Sequence, residues 1–149
     1  MTLCLLGPAP ASAELTGVVI GISGGDTVTV RVDERLLKLH LREIDAPVAG
    51  QPFDTEAMES LAEVCLNKEA IVGGLGIGKR RGVFGHVECG GVDAGAEQVR
   101  RGMAWVAVER APAALLYPLQ VEAQAAGKGL WSDATPVPPW EWQAQDAAN

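Results

Sequence analysis

Gly24-Gly25-Asp26-Thr27-Val28-Thr29-Val30-Arg31-Val32 and, after a turn, Leu39-His40-Leu41-Arg42-Glu43-Ile44-Asp45-Ala46-Pro47 decide how this chain folds. The Gly-Gly pair permits the positive φ of a tight turn and sets Asp26 where a strand begins. Thr27 to Val32 is β-branched at nearly every position, as a strand favours. Asp33-Glu34-Arg35 turns the chain, and Leu36 to Glu43 returns with Leu37, Leu39 and Leu41 on one face and Lys38, His40 and Arg42 on the other. Because an antiparallel partner reverses direction, Asp45 at the end of the return strand comes back towards Asp26. Two carboxylates converging at strand ends suit a hard divalent cation such as Ca²⁺. Taken alone, the same pair is better explained as caps on a turn and a strand end.

Working outward, Glu14 to Ser23 alternates apolar with small or polar residues and reads as a strand. Pro47 to Phe53 is a loop held by two prolines and Gly50. Asp54 to about Leu66 reads as a helix, with Asp54 as N-cap and Ala57, Leu61 and Val64 facing inward. Strands follow over Glu69 to Leu75 and Val83 to Cys89, then a helix over Ala94 to Arg101 stopped by Gly102. The last helix spans Pro112 to Ala126, and Pro118 inside it means a later start or a kink. Five short strands interspersed with three helices suit a small α+β barrel, mainly β.

The 149 residues fit one domain, taken as Glu14 to Thr135. Met1 to Ala13 is apolar, uncharged and ends in Ala11-Ser12-Ala13, the pattern of a truncated secretory signal; a structureless N-terminal tail is the alternative. The run is too short to span a bilayer. Pro136 to Asn149 is a Pro- and Trp-rich tail in which Trp140 and Trp142 pack back while Gln143 onward is expected to be unstructured. The formal net charge of −7 removes the broad attraction to phosphate that basic nucleic-acid binders have, so any such contact must be local. Of three cysteines, Cys4 leaves with a signal, and Cys65 and Cys89 either pair or stay as buried thiols.

Read in order, Gly25-Asp26-Thr27-Val28-Thr29-Val30, Leu41-Arg42-Glu43-Ile44-Asp45-Ala46-Pro47, Gln51-Pro52-Phe53, Val99-Arg100-Arg101-Gly102-Met103-Ala104-Trp105 and Gly129-Leu130-Trp131 form a set. This set resembles the staphylococcal nuclease (thermonuclease) family. The resemblance implies an OB-fold, and a site in which Ca²⁺ and two arginines neutralise a phosphodiester while a glutamate assists the attacking water. Asp26 and Asp45 match the family's metal aspartates, with the Ala46 backbone carbonyl as a third ligand.

The rest of that pattern is substituted. His40 stands at the first arginine position, Val48 at the glutamate position and Gly82 at the second arginine position. Val108 and Arg110 occupy the places of two nucleotide-contacting tyrosines. A histidine lacks the guanidinium fork, and a valine can neither ligate through its side chain nor accept a proton. Arg81, beside Gly82, either swings into the vacated place through a one-residue bulge or belongs to a solvated basic loop with Lys79 and Arg80. Lys79 and Arg80 are the candidate nucleic-acid contacts.

Trp105 and Trp131 read as core rather than as stacking platforms, and His86 as an exposed strand residue. Two functions follow from the resemblance. The first is a secreted or periplasmic Ca²⁺-dependent phosphodiesterase acting on DNA or RNA at an impaired rate. The second is an inactive OB-fold module binding a protein or single-stranded nucleic acid. In either case the expected state is a monomer without a membrane partner.

Overall fold

A computed structural model describes residues 13–78, 82–107 and 114–149. Lys79, Arg80, Arg81, Val108, Arg110 and all of the signal-like segment but Ala13 lie outside the described residues. In chain order the elements are β1 (Leu15–Gly24), β2 (Thr27–Val32), β3 (Arg35–Leu41), β4 (Ile44–Asp45), α1 (Asp54–Cys65), β5 (Glu69–Gly78) and β6 (Gly82–Cys89). They continue with β7 (Val92–Asp93), α2 (Ala94–Arg100), β8 (Trp105–Val106), α3 (Tyr117–Ala125), a 3-10 turn (Gly129–Ser132) and α4 (Pro139–Ala147).

The alternating valines of β2 put Val28 and Val30 fully inside, beside Val19 of β1 and Leu39 and Leu41 of β3. The sheet runs β3-β2-β1-β5-β6, and a parallel pairing of β3 with β6, His40↔Phe84 and Leu41↔Gly85, closes it. The result is the expected five-stranded barrel of OB type, with one parallel seam among antiparallel pairs. Closure removes the free edges that an open sheet would expose. On the barrel, α1 lays Ala57, Leu61 and Val64 against the core, and α2 adds Val99.

The return strand is shorter than its alternation suggests. It ends at Leu41 because Glu43 adopts φ 71°, which breaks the ladder and starts β4 in a new direction. β4 pairs with β8, Asp45 opposite Trp105, in a separate two-stranded ribbon. Asp54 is the first helical residue of α1 rather than its N-cap. Phe53 takes the cap position at φ 71°, while Asp54 accepts the Gly50 and Thr55 N–H groups.

α3 starts at Tyr117, with Pro118 in its first turn where a missing N–H costs nothing. Leu115 and Val121 are exposed, whereas Leu116 is buried. The four helices among the described residues include one the sequence reading omitted. The tail beyond Gln143 is helical, as part of α4, because Trp140 packs on Trp105 and the Gln51 side chain donates to Val137 O at 2.7 Å.

Of the two readings of the cysteines, pairing holds. Cys65 at the end of α1 and Cys89 at the end of β6 form a disulfide, 24 residues apart in sequence. No described helix is long and apolar enough to cross a membrane.

Candidate active site

Asp26 lies in the turn immediately before β2 and Asp45 ends β4, so the hairpin and the break at Glu43 together bring both to one end of the barrel. There, Asp26, Thr27, His40, Asp45, Ala46 and Val48 line a cleft of about 470 Å³. Every described residue read as a metal or catalytic position therefore opens onto this cleft except Gly82. Gly82 sits at φ 76° opposite Gly78, where the β5–β6 ladder closes. An arginine there would have to adopt a left-handed backbone, so glycine answers a turn requirement rather than the loss of a functional side chain.

The centre of the cleft is a chain of hydrogen bonds. The Thr27 hydroxyl donates to Asp26 Oδ1 at 2.8 Å and also lies 2.9 Å from His40 Nδ1. Asp26 Oδ2 accepts the Ala46 N–H at 2.9 Å. Burial pushes the Asp26 carboxyl up, but hydrogen bonding from His40, the Ala46 N–H and Thr27 outweighs it and holds the carboxyl below its ordinary value of 3.8. His40 Nδ1 is 3.9 Å from Asp26 Oδ1, too far for a direct bond, so its help reaches the carboxylate through the hydroxyl between them.

This arrangement fixes the imidazole. A hydroxyl has one proton, and an ionised Asp26 can only accept it. Thr27 must then accept from His40, which places a hydrogen on Nδ1 and leaves Nε2 as the ring nitrogen open to a ligand. The sequence reading gives Thr27 a place in the strand but no role at the site, although the register Thr27↔His40 follows from the hairpin itself.

Val48 presents only an apolar side chain to the cleft, and its N–H donates to Gln51 Oε1 at 3.1 Å. Gln51 is buried and reaches from this loop to the C-terminal tail, which accounts for the Gln51-Pro52-Phe53 motif as a tie rather than a ligand. That tie brings Gln143 of α4 to the cleft wall, along with Asp54 and Met58 of α1. No local signal marks Gln143, because its place depends on the tail folding back over the domain. Trp105 and Trp131 meet edge to face at 4.3 Å and do not line the cleft, and His86 is half-exposed beside Asp93.

Among the described residues, no three His, Cys, Asp or Glu side chains are grouped so as to hold a metal unaided. Asp26, Asp45 and the Ala46 carbonyl are a partial donor set, all oxygen and with Asp26 held ionised, as a hard cation prefers. Their donor types fit a hard cation such as Ca²⁺, but they are too few to hold one unaided.

The lowered Asp26 value has a consequence for stability. Between its folded and unfolded pKa values the unfolded chain binds more protons, so stability rises with pH there. Asp26 therefore contributes fully above pH 3.8, and the contribution is lost as pH falls through the lower folded value. Urea unfolding of the protein beside Asp26→Asn should show the wild-type advantage shrinking only below about pH 4. An advantage independent of pH down to full protonation would contradict this.

The family profile described as "Staphylococcal nuclease homologue" matches residues 38–133. The chain is 31% identical to "Micrococcal nuclease" of Shigella flexneri over 158 residues, 97% of this chain and 91% of the relative. It is 34% identical to "Protein ParB" of Escherichia coli over 148 residues, 92% and 84% of the two chains. With an "Uncharacterized endonuclease" of Haemophilus influenzae it shares 30% over 132 residues, 88% and 74%. A closed OB barrel that carries two aspartates to one cleft, a family profile matched over residues 38–133, and relatives matched over 74% to 91% of their length lead to one assignment: the chain belongs to the staphylococcal nuclease family.

Proposed function

We propose that the chain is a phosphodiesterase acting on single-stranded DNA or RNA, assisted by Ca²⁺ and slower than a member with the full set of catalytic residues. The observation that carries this reading is the convergence of Asp26, Asp45, Ala46, Thr27 and His40 on one open cleft, with Val48 where a carboxylate is expected. Asp26, Asp45 and the Ala46 carbonyl would hold the cation. When bound, it supplies charge neutralisation and polarisation of the phosphoryl group. The chain's own residues do the rest. His40, anchored through Nδ1, offers the Nε2 lone pair to the O–H of a water. Thr27 keeps that ring oriented and Asp26 ionised. Val48 can move no proton, and the cleft lacks an arginine fork among the described residues that line it.

A disulfide between Cys65 and Cys89 supports a secreted or periplasmic location, in keeping with the signal-like Met1 to Ala13. The valine at the cleft favours a second reading, an inactive module that binds single strands.

Incubation of the 149-residue chain with a 5′-labelled oligodeoxythymidylate and Ca²⁺ separates the two. The first reading predicts slow appearance of fragments, abolished by EDTA. The second predicts an intact oligonucleotide held by phosphate contacts, with affinity falling steeply as salt rises. An oligonucleotide neither cut nor bound would overturn both.

A further inference from the structure

We propose that Gln98 of α2 is a positioning residue for this cleft, acting on Asp26 through the backbone of Gly25. What Asp26 is positioned to do rests on the phosphodiesterase reading above; the positioning itself does not.

Gln98 is fully buried, in the core between α2, α1 and the β1–β2 turn. Its Nε2 donates to Gly25 O at 2.6 Å and to Ala57 O at 2.9 Å, and its Oε1 accepts the Ser60 hydroxyl at 2.6 Å. Both amide protons and the amide oxygen are thus used inside the protein. An amide in a core costs free energy unless so bonded, and an apolar side chain of similar volume would fill the space without that demand. What Gln98 adds is therefore orientation.

The group it orients is the turn carrying Asp26. Gly25 lies beyond the last pair of the β1–β2 ladder, Gly24↔Thr27, so the ladder does not fix its carbonyl. It is wedged between two elements: a Cβ on Gly25 would stand 2.5 Å from Ala57 Cβ and 2.7 Å from Ala46 Cβ. The next residue is Asp26, whose Oδ2 accepts the Ala46 N–H, and Ala46 follows Asp45. A route of direct contacts runs from Gln98 to Gly25, to Asp26, to Ala46. Gln98 lines no part of the cleft, so its effect on chemistry must pass along this route. A shift of the order of 1 Å at a reacting group costs about 10²-fold in rate.

The test compares Gln98→Leu with Val72→Ala, a core truncation at the far end of the barrel, where Val72 is fully buried opposite Leu15. Amide hydrogen exchange is followed by NMR in the 149-residue chain. In Gln98→Leu the Ala46 amide should exchange at least tenfold faster relative to the β2–β3 ladder amides. In Val72→Ala the two should accelerate together. If Gln98→Leu fails to fold, Gln98→Glu, which keeps the shape and loses a donor, is read in the same way. Equal acceleration of Ala46 and the ladder in the Gln98 variant would overturn the proposal and leave Gln98 an ordinary core residue.

Turnover of single-stranded DNA is the second readout, with kcat expected to fall at least tenfold in Gln98→Leu while KM holds and Val72→Ala keeps its kcat. A fall in kcat no larger than that of Val72→Ala would also count against positioning. Absence of turnover in the unmodified chain would instead overturn the phosphodiesterase reading, and the exchange data would still decide the role of Gln98.

Discussion

His40→Arg combined with Val48→Glu is expected to raise Ca²⁺-dependent hydrolysis of single-stranded DNA by at least about 10²-fold. A preorganised charge-stabilising donor is worth about 10² to 10³ in rate, and a positioned general base about 10² to 10⁴. The two gains do not simply multiply, because groups that act on one transition state are not independent. Both positions already open onto the cleft, so neither change needs the fold to move. Gly82→Arg is left out of the variant, since at φ 76° it would strain the hairpin by about 1 to 2 kcal/mol. Single-turnover rates of the double variant and the unmodified chain give the comparison. No gain in the folded double variant would mean that the scaffold does not present these positions to a phosphodiester. If Arg81 already serves in place of an arginine, Arg81→Ala should slow the unmodified chain.

The second large effect is on stability. The disulfide closes a loop across 24 residues and joins α1 to the far end of β6, so Cys65→Ala with Cys89→Ala should cost about 3 kcal/mol. Both cysteines are buried in the core, and their alanine replacements also leave a small void, which adds to the loss. Equilibrium urea unfolding reads this directly. A change under about 1 kcal/mol would show that the cross-link constrains little of the unfolded chain.

How far the sequence reaches depends on whether a feature is local. The alternation of Thr27 to Val32 and of Leu36 to Leu41 is a property of single strands. It therefore foretells which side chains enter the barrel, and the hairpin turn then foretells that Asp26 and Asp45 converge. The break at Glu43 is local too, but a glutamate at positive φ carries no compositional mark, so the return strand looks as if it ended two residues later than it does.

β4 and β8 are two residues each and exist because Asp45 and Trp105, 60 positions apart, meet across a ladder. Such a pairing has no periodicity to read. α4 is similar. Its polar sequence after Trp142 suggests a free tail, and only the docking of Trp140 on Trp105 with the Gln51 tie makes a helix there worthwhile. The cysteines show the limit most simply, since their pairing depends on a Cα separation of 5.0 Å that the fold alone provides.

The site divides in the same way. The aspartates, His40 and Val48 are legible from a hairpin and an ordered set of motifs. Thr27 as the bridge between Asp26 and His40 could have been found from the strand register. Gln98 could not, because a glutamine in a short helix gives no sign that it will be buried against a turn 73 residues earlier.

The measurement that bears most directly on the whole account is the single-turnover cleavage of single-stranded DNA by the unmodified chain and by Asp26→Asn, each with Ca²⁺ and with EDTA. The account predicts slow cleavage by the unmodified chain with Ca²⁺, and none in the other three conditions. Cleavage that survives both EDTA and the loss of the Asp26 charge would contradict it, because the chemistry would then lie outside the cleft that Asp26 and Asp45 define.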